Sequence, residues 1–371
     1  MEVPFFSTWR QHEAISDKLK VVFDRQLQKG TFILGEDVTE FESVFARFHQ
    51  MPYCTSVGNG MNAIYIALKS LNIGIGDEVL VPSHTCFATW LAVSRTGAIP
   101  VPVEVNPVNF TIDANLLEAA ATSRTKAIVP VHLYGHPCAM PDIMAIANQR
   151  NWSVVEDNAQ SIGATCHQKL TGSWGDLSAT SFYPTKNLGA MGDGGAILSR
   201  SVASYEFHQA FRNYGSVQKD VHQMQGVNSR LDELQAAFLL VKLPYLQQWN
   251  AQRVANAKMY HQQLACVGDL ILPSMGDENH QPVFHLYVIQ TAHRDRLKAY
   301  LAEKGIGTAI HYPTPVHLQD AYRGLGYKEG RLPIAERLSK TVLSLPVWPE
   351  LLPSEIERVT QAIRAFFDRY L

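Results

Sequence analysis

The sequence predicts an α/β protein: a mainly parallel sheet covered on both faces, followed by a smaller C-terminal α/β unit. Two features predict it. Short, continuously apolar runs of strand length alternate with helical stretches over about residues 55–200, the pattern of strands buried on both faces. Glycine clusters punctuate the passage from run to helix and back.

Taken in order, the run from Thr55 leads through Gly58-Asn59-Gly60 into a helix over residues 61–71, stopped by Gly74 and Gly76. A strand at 79–81, a helix at 87–96, a strand at 100–103 and a helix at 115–121 follow. A strand at 127–131, a helix at 141–150 and a strand at 154–156 continue the alternation. Runs at 177–182 and 196–198 have little between them, which predicts an antiparallel or edge element. Over residues 229–264, Leu231, Leu234, Ala237 and Phe238 recur at helical spacing; the stretch is one long or broken helix, with Pro244 as the break. A strand at 283–288, a helix at 295–304 ending at Gly305, and a proline-rich aromatic stretch at 311–322 come next. A helix at 354–370 closes the chain, with Ser354 and Glu357 as a capping box. A shift in composition divides the chain into residues 1–248 and 249–371, and no internal repeat or low-complexity tract appears.

The 371 residues suffice for two or three domains, and 46% hydrophobic with 18% charged residues fits a soluble globular enzyme with a large core. A net charge of −2 favours neither nucleic acid nor an anionic membrane. No apolar stretch approaches the roughly 20 residues of a membrane span. Met1 to Phe6 lacks the basic-then-apolar order of a signal peptide. The five cysteines are scattered with no Cys-x-x-Cys, so neither a disulfide framework nor a zinc site is expected, and a reducing cytoplasm is the simplest setting.

Gly58-Asn59-Gly60-Met61-Asn62-Ala63 fits the dinucleotide fingerprint G-x-G-x-x-A. The acid that should bind ribose belongs at the C-terminal end of the second strand, however, and Asp77-Glu78 precedes that strand. The loop suits a single phosphate, held by amides at a helix N-terminus; an ordinary turn and helix start is the alternative. Asp157 ends the apolar run Val154-Val155-Glu156. Alone, it would be taken for a helix cap. Lys186 lies in Ser181-Phe182-Tyr183-Pro184-Thr185-Lys186, ahead of Gly189, Gly192, Gly194 and Gly195, among small, aromatic and apolar neighbours that suggest a desolvated amine. A lysine on the loop after one strand and an acid at the tip of another is what pyridoxal 5'-phosphate requires. The amine holds the cofactor as a Schiff base, and the acid keeps the ring nitrogen protonated. His132 and His136 form an H-x₃-H pair, and His311 and His317 flank a proline-rich turn. The first pair sits beyond a strand rather than on a helix face, and the second has no carboxylate or cysteine partner at ligand spacing, so no metal is expected. There is no G-x-S-x-G elbow and no Walker loop. Arg212 to Lys219 and the polar run from Gly226 would by themselves be a loop and a capped helix start.

With these residues in view, the chain resembles the DegT/DnrJ/StrS-type sugar aminotransferases, a branch of the fold-type-I pyridoxal phosphate enzymes. The resemblance runs from Phe5-Phe6 through Gly58-Asn59-Gly60, Val131 to Gly135, Val155 to Gln160, Ser181 to Gly195, Asn228 to Ala237 and His311-Tyr312-Pro313. It implies a large domain with a seven-stranded, mostly parallel sheet, and roles at matching positions. Lys186 carries the Schiff base and Asp157 pairs with the ring nitrogen. Gln160 lies against the ring; Gly60, Met61 and Ser181 hold the phosphate. Asn228 reaches that phosphate from the partner subunit of a homodimer with shared active sites. Tyr183, Lys219, His311 and Tyr312 line the sugar-nucleotide pocket. The implied substrates are L-glutamate and a keto sugar nucleotide aminated at C-3 of a dTDP-linked 3-keto-6-deoxyhexose. A C-4 sugar nucleotide or cyclitol aminotransferase and a non-catalytic regulator are the alternatives. One departure stands out: Cys86, in Ser83-His84-Thr85-Cys86-Phe87, occupies the position of an aromatic ring that stacks on the cofactor. A thiol cannot stack, and Phe87 or His84 is left to form that wall.

Overall fold

A seven-stranded sheet organises the molecule, a computed structural model describing residues 2–370. Its strands are β1 (Tyr53–Val57), β2 (Glu78–Pro82), β3 (Ile99–Val103), β4 (Thr125–Ile128), β5 (Ser153–Asp157), β6 (Leu177–Ser181) and β7 (Gly195–Ser199). In space the order is β1-β7-β6-β5-β4-β2-β3. The five strands from β6 to β3 are mutually parallel; β7 runs antiparallel to both β6 and β1. The antiparallel element expected after residue 177 is thus present, but one place in from the edge. Every residue of β2 and β7 is buried, β2 as a parallel strand covered on both faces.

The helix Gly60–Ser70 lays Ala63, Ile64, Ile66, Ala67 and Leu68 on one face of the sheet. On the same face, Trp90, Ala92 and Val93 come from the helix Phe87–Arg95. Burying a side chain the size of Ile or Leu contributes about 1.5–3 kcal/mol. The other face is covered by Phe41, Phe45, Leu239 and Leu246 at one end and by Ile143 and Ala147 at the other. Glu233 closes the start of the helix Glu36–Phe48, accepting the N–H groups of Gly35, Asp37 and Val38.

Several boundaries move for identifiable reasons. The strand expected at 127–131 is Thr125–Ile128, because Pro130 has no N–H for the ladder. Pairing resumes only as an isolated bridge between Val131 and Asp157. The helix expected at 115–121 is a 3₁₀ turn, Ala114–Leu116, and a short α-turn, Leu117–Ala120. The helix expected from 229 begins at Glu233 and breaks at Pro244 as anticipated, giving Glu233–Lys242, a 3₁₀ turn and Leu246–Leu264.

The C-terminal core gathers Ala257, Tyr260, Leu264, Tyr287, Ile289, Leu343, Leu345, Ile356, Val359 and Ile363 around the antiparallel pair Tyr287–Gln290 and Val342–Leu345. The strand expected at 283–288 starts only at Tyr287. Phe284 has φ 46° and cannot be extended there, and Val283 and Leu286 bond instead to the carbonyls of Gly135 and Tyr134. The Ser354–Glu357 capping box does not form. The helix Pro353–Tyr370 starts one residue earlier, and Glu355 takes the Leu352 N–H at 2.8 Å while holding Arg10 in a two-pronged ion pair. Among the described residues no helix is long and apolar enough to cross a membrane.

Candidate active site

Six strands point the same way, and at their carboxyl edge lies a cavity of about 430 Å³. That edge is where open α/β sheets place ligands, since the loops leaving parallel strands diverge there. Asp157 is the last residue of β5 and Ser181 the last of β6, and the loop after β1 brings in Asn59, Gly60 and Met61. Lys186, Gln160, Tyr183, Cys86, Thr89 and Asp193 complete the polar part of its wall.

The loop carrying Lys186 is held from several sides. Phe182 N–H donates to Gly194 O and Ala190 N–H to Phe182 O, drawing its ends together. Lys186 N–H closes a turn onto Tyr183 O at 2.8 Å. Asn187 donates to Asn250 at 2.7 Å, and the buried Lys242 ammonium donates to Gly189 O at 2.8 Å. A Cβ at Gly189 would strike the Pro184 carbonyl, so the turn demands glycine. Burial pushes the Lys186 amine down; the neighbouring Cys86 thiol and Asp157 carboxylate pull the other way.

Asp157 is 5% exposed. Its Oδ1 accepts the Ala159 N–H at 3.1 Å and its Oδ2 the Thr89 hydroxyl at 3.0 Å. Burial pushes its carboxyl up, while these bonds and the charge of Lys186 draw it back. A cationic ring nitrogen would add to that pull. Thr89 escapes a reading by motif: it lies one helical turn past Cys86, and only the fold reveals that it faces Asp157.

Where the glycine loop meets the tip of β6, Asn59 caps the helix Gly60–Ser70, accepting the Asn62 N–H at 2.9 Å. The N–H groups of Gly60 and Met61, in the first turn, have no partner within the helix. A Cβ on Gly60 would sit 2.6 Å from the Ser181 Cβ, so loop and strand tip meet only because residue 60 is glycine. Two free amides and a hydroxyl at a helix N-terminus make an anion cradle, and Asp157 and Lys186 stand in the same cavity. The residues present fit pyridoxal phosphate.

The remaining wall differs from expectation. Cys86 itself lines the cavity. Phe87 turns away and packs on Tyr322, with ring centroids 5.3 Å apart. His84 is buried and bonds the Tyr134 hydroxyl at 2.8 Å. Gln160 accepts the Tyr134 N–H at 2.7 Å. The Tyr312 hydroxyl lies within hydrogen-bonding reach of Cys86 and Gln160, and burial pushes its pKa up. His311 lines a second cavity of about 200 Å³ with Tyr183, Thr185, Arg253 and His285. Burial and the charge of Lys186 push it down to about 4.

Lys219 and Asn228 stand apart. Lys219 is exposed in the turn between the short strands Ser216–Gln218 and Val221–His222. Asn228 is exposed and donates to the Tyr214 hydroxyl at 2.6 Å. Neither lines the cavity of its own chain. Its neighbour Ser229 is buried and anchors the glycine loop, accepting from Gly58 N–H and Asn62. Arg212 is buried in an ion pair with Glu42 and donates to Ser56 O, a structural role. His132 Nδ1 accepts the Cys138 N–H, so its Nε2 donates to Glu156, and neither nitrogen is left for a metal. Glu156 in turn accepts the N–H groups of Gly172, Trp174 and Gly175.

A sequence profile of the DegT/DnrJ/EryC1/StrS aminotransferase family matches residues 14–364. The "Erythromycin biosynthesis sensory transduction protein EryC1" of Saccharopolyspora erythraea is 44% identical over 368 residues, 98% of this chain and 100% of that protein. The dTDP-3-amino-3,4,6-trideoxy-alpha-D-glucose transaminase of Streptomyces venezuelae is 43% identical over 367 residues, 99% of this chain and 97% of the relative. Among solved structures, S. venezuelae DesV in complex with a ketimine intermediate superimposes with a TM-score of 0.97 at 43% identity, covering 100% of both chains.

Proposed function

The chain belongs to the DegT/DnrJ/EryC1/StrS aminotransferase family, and from that premise we propose that it moves an amino group from L-glutamate to C-3 of a dTDP-linked 3-keto-6-deoxyhexose, using pyridoxal phosphate. One observation carries the reading: Lys186, Asp157, Ser181 and the amides after Asn59 share one cavity. The relative at 43% identity acts, by its name, on a sugar of that class.

When bound, the cofactor supplies an electron sink for the pair released at the amino acid's α-carbon. Asp157 holds the ring nitrogen in its charged form, and Thr89 and Ala159 fix that carboxylate. Gly60, Met61 and Ser181 hold the phosphate. Lys186 Nζ, its basicity lowered by burial, removes the α-proton and later delivers a proton to the sugar carbon. The donor's carboxylates fit the second cavity, where the Arg253 Nε and His285 Nδ1 are buried without hydrogen-bond partners. Tyr183, His311 and Tyr312 line the approach for the sugar nucleotide. Lys219 and Asn228 serve the cavity of a second copy, Asn228 at its phosphate, in a homodimer. The five cysteines are free thiols, which fits a reducing cytoplasm.

The test is turnover of purified protein with glutamate against dTDP-3-keto, dTDP-4-keto and UDP-4-keto sugars. Amination of the dTDP-3-keto substrate alone supports the assignment; preference for a 4-keto sugar refutes the carbon. Failure with every keto sugar and with glutamate would support a regulator, as the name of the sensory transduction relative suggests for that protein.

A further inference from the structure

We propose that Cys166, His167 and His280 form a binding site for a zinc-type divalent ion, on the side of the molecule where the hairpin after β5 meets the segment leading into the C-terminal unit. The Cys166 sulfur and one ring nitrogen from each histidine lie within 4.8 Å of one another. Tetrahedral ligands at Zn–N and Zn–S distances of about 2.1 and 2.3 Å sit about 3.5 Å apart, so small side-chain rotations close the trio on an ion. The backbone already fixes the trio. Cys166 and His280 are direct partners in the antiparallel pairing of Thr165–Cys166 with His280–Gln281, and the His167 N–H donates to Asn279 O at 2.6 Å.

The surroundings match what metal-ligating side chains need. Asp277 Oδ1 lies 3.1 Å from His280 Nδ1 and accepts the N–H groups of Asn279 and His280 at 2.8 and 2.7 Å. A carboxylate on one ring nitrogen leaves the other, Nε2, as the ligating atom and holds the ring in place. A separate observation comes from His136. It is 9% exposed, with Nδ1 on Pro137 O at 3.1 Å and Nε2 buried without a partner. It is also close enough to His280 and Asp277 to feel their charges. One thiolate with imidazoles selects a borderline-soft ion over Mg²⁺ or Ca²⁺. The ligands come from segments distant in sequence, so no spacing motif announces them. The ion would staple the hairpin to the segment that continues into His285.

The experiment uses the cofactor-loaded protein, stripped with a chelator and dialysed against micromolar Zn²⁺ or Co²⁺. Expected are one ion retained per chain, visible bands of tetrahedral Co²⁺, and a higher Tm with Zn²⁺. Cys166→Ser should remove all three. His167→Ala, at an exposed position, should weaken Zn²⁺ binding at least about tenfold, and Asp277→Asn about 10–100-fold. A chain that retains no Zn²⁺, or His167→Ala protein that binds it like the parent, overturns the proposal.

Discussion

At the carboxyl edge of the sheet, Asp157 and Ser181 are the last residues of adjacent strands, and Lys186 rides on a loop tied down by Gly194, Asn250 and Lys242. On the hairpin at residues 216–222 and the strand-like segment after it, Lys219 and Asn228 are exposed, and Asn228 has only the Tyr214 hydroxyl. In the first region Asp157, Ser181 and Lys186 of one chain line a single cavity. In the second, Lys219 and Asn228 face solvent and line neither cavity of the candidate site. The proposed homodimer would bring the outlying groups to the floor of a second copy, and the predictions below test that contrast.

The largest effect belongs to the floor. Lys186→Ala removes both covalent attachment and proton transfer, so turnover should fall by at least about 10⁴-fold and the bound cofactor should lose its visible absorbance. Near-normal turnover in this variant would end the reading of the floor as catalytic.

Next comes the link between the regions. Lys186→Ala and Asn228→Ala proteins should each be weak alone. Co-refolded in equal amounts, they should recover about a quarter of the parent's sites, because half of randomly paired dimers are mixed and each mixed dimer contains one site with both residues intact. No recovery, or an active monomer by sedimentation, would put Asn228 outside the site.

The contrast also explains what could be read from sequence. Asp157, Lys186 and the Gly58–Gly60 loop were legible because each sits at a strand end, and strand ends follow from apolar runs. Their convergence follows from parallel topology. Thr89 was not legible: it reaches Asp157 only through a helix facing β5. Phe87 was a plausible substitute for the missing ring until Tyr322, distant in sequence, claimed it. The strand at 283–288 failed for a local reason, the positive φ of Phe284, that composition does not record.

Acid should separate the regions further. Burial pushes His49 and His84 down to about 4 and His208 to about 3. In the unfolded chain they titrate near 6.5, so between pH 6.5 and 4 the unfolded state binds more protons. Stability is intact above pH 6.5 and falls as the pH drops through the folded values, by up to about 3 kcal/mol each for His49 and His84 and by more for His208. His84 lies beside the floor and bonds Tyr134, whereas His222 on the hairpin is exposed. Hydrogen exchange at pH 5 should therefore loosen the floor near His84 more than the hairpin. A Tm that does not change between pH 7 and 5 would contradict this.

A smaller change is expected at Arg253. Its guanidinium is 3% exposed and makes only long bonds, at 3.4 Å, to His285 O and Val347 O. If its remaining donors serve the amino acid's carboxylates, Arg253→Lys should raise the KM for glutamate about tenfold and leave the KM for the sugar nucleotide unchanged. An equal rise in both would make the residue a scaffold for the second cavity.

The smallest effect is predicted at Cys86. Its thiol lines the cavity beside Lys186 and Tyr312, where a ring would stack on the cofactor. An aromatic face-to-face contact contributes about 0.5–1.5 kcal/mol beyond area burial, so Cys86→Phe should slow cofactor release about two- to tenfold with little change in kcat. The helix Phe87–Arg95 keeps its start because Cys86 makes no side-chain cap there. Faster release would mean that the thiol's contacts with Lys186 and Tyr312 outweigh stacking. In that case the floor of this enzyme is built around the cysteine, and restoring a ring would displace Tyr312 from Gln160.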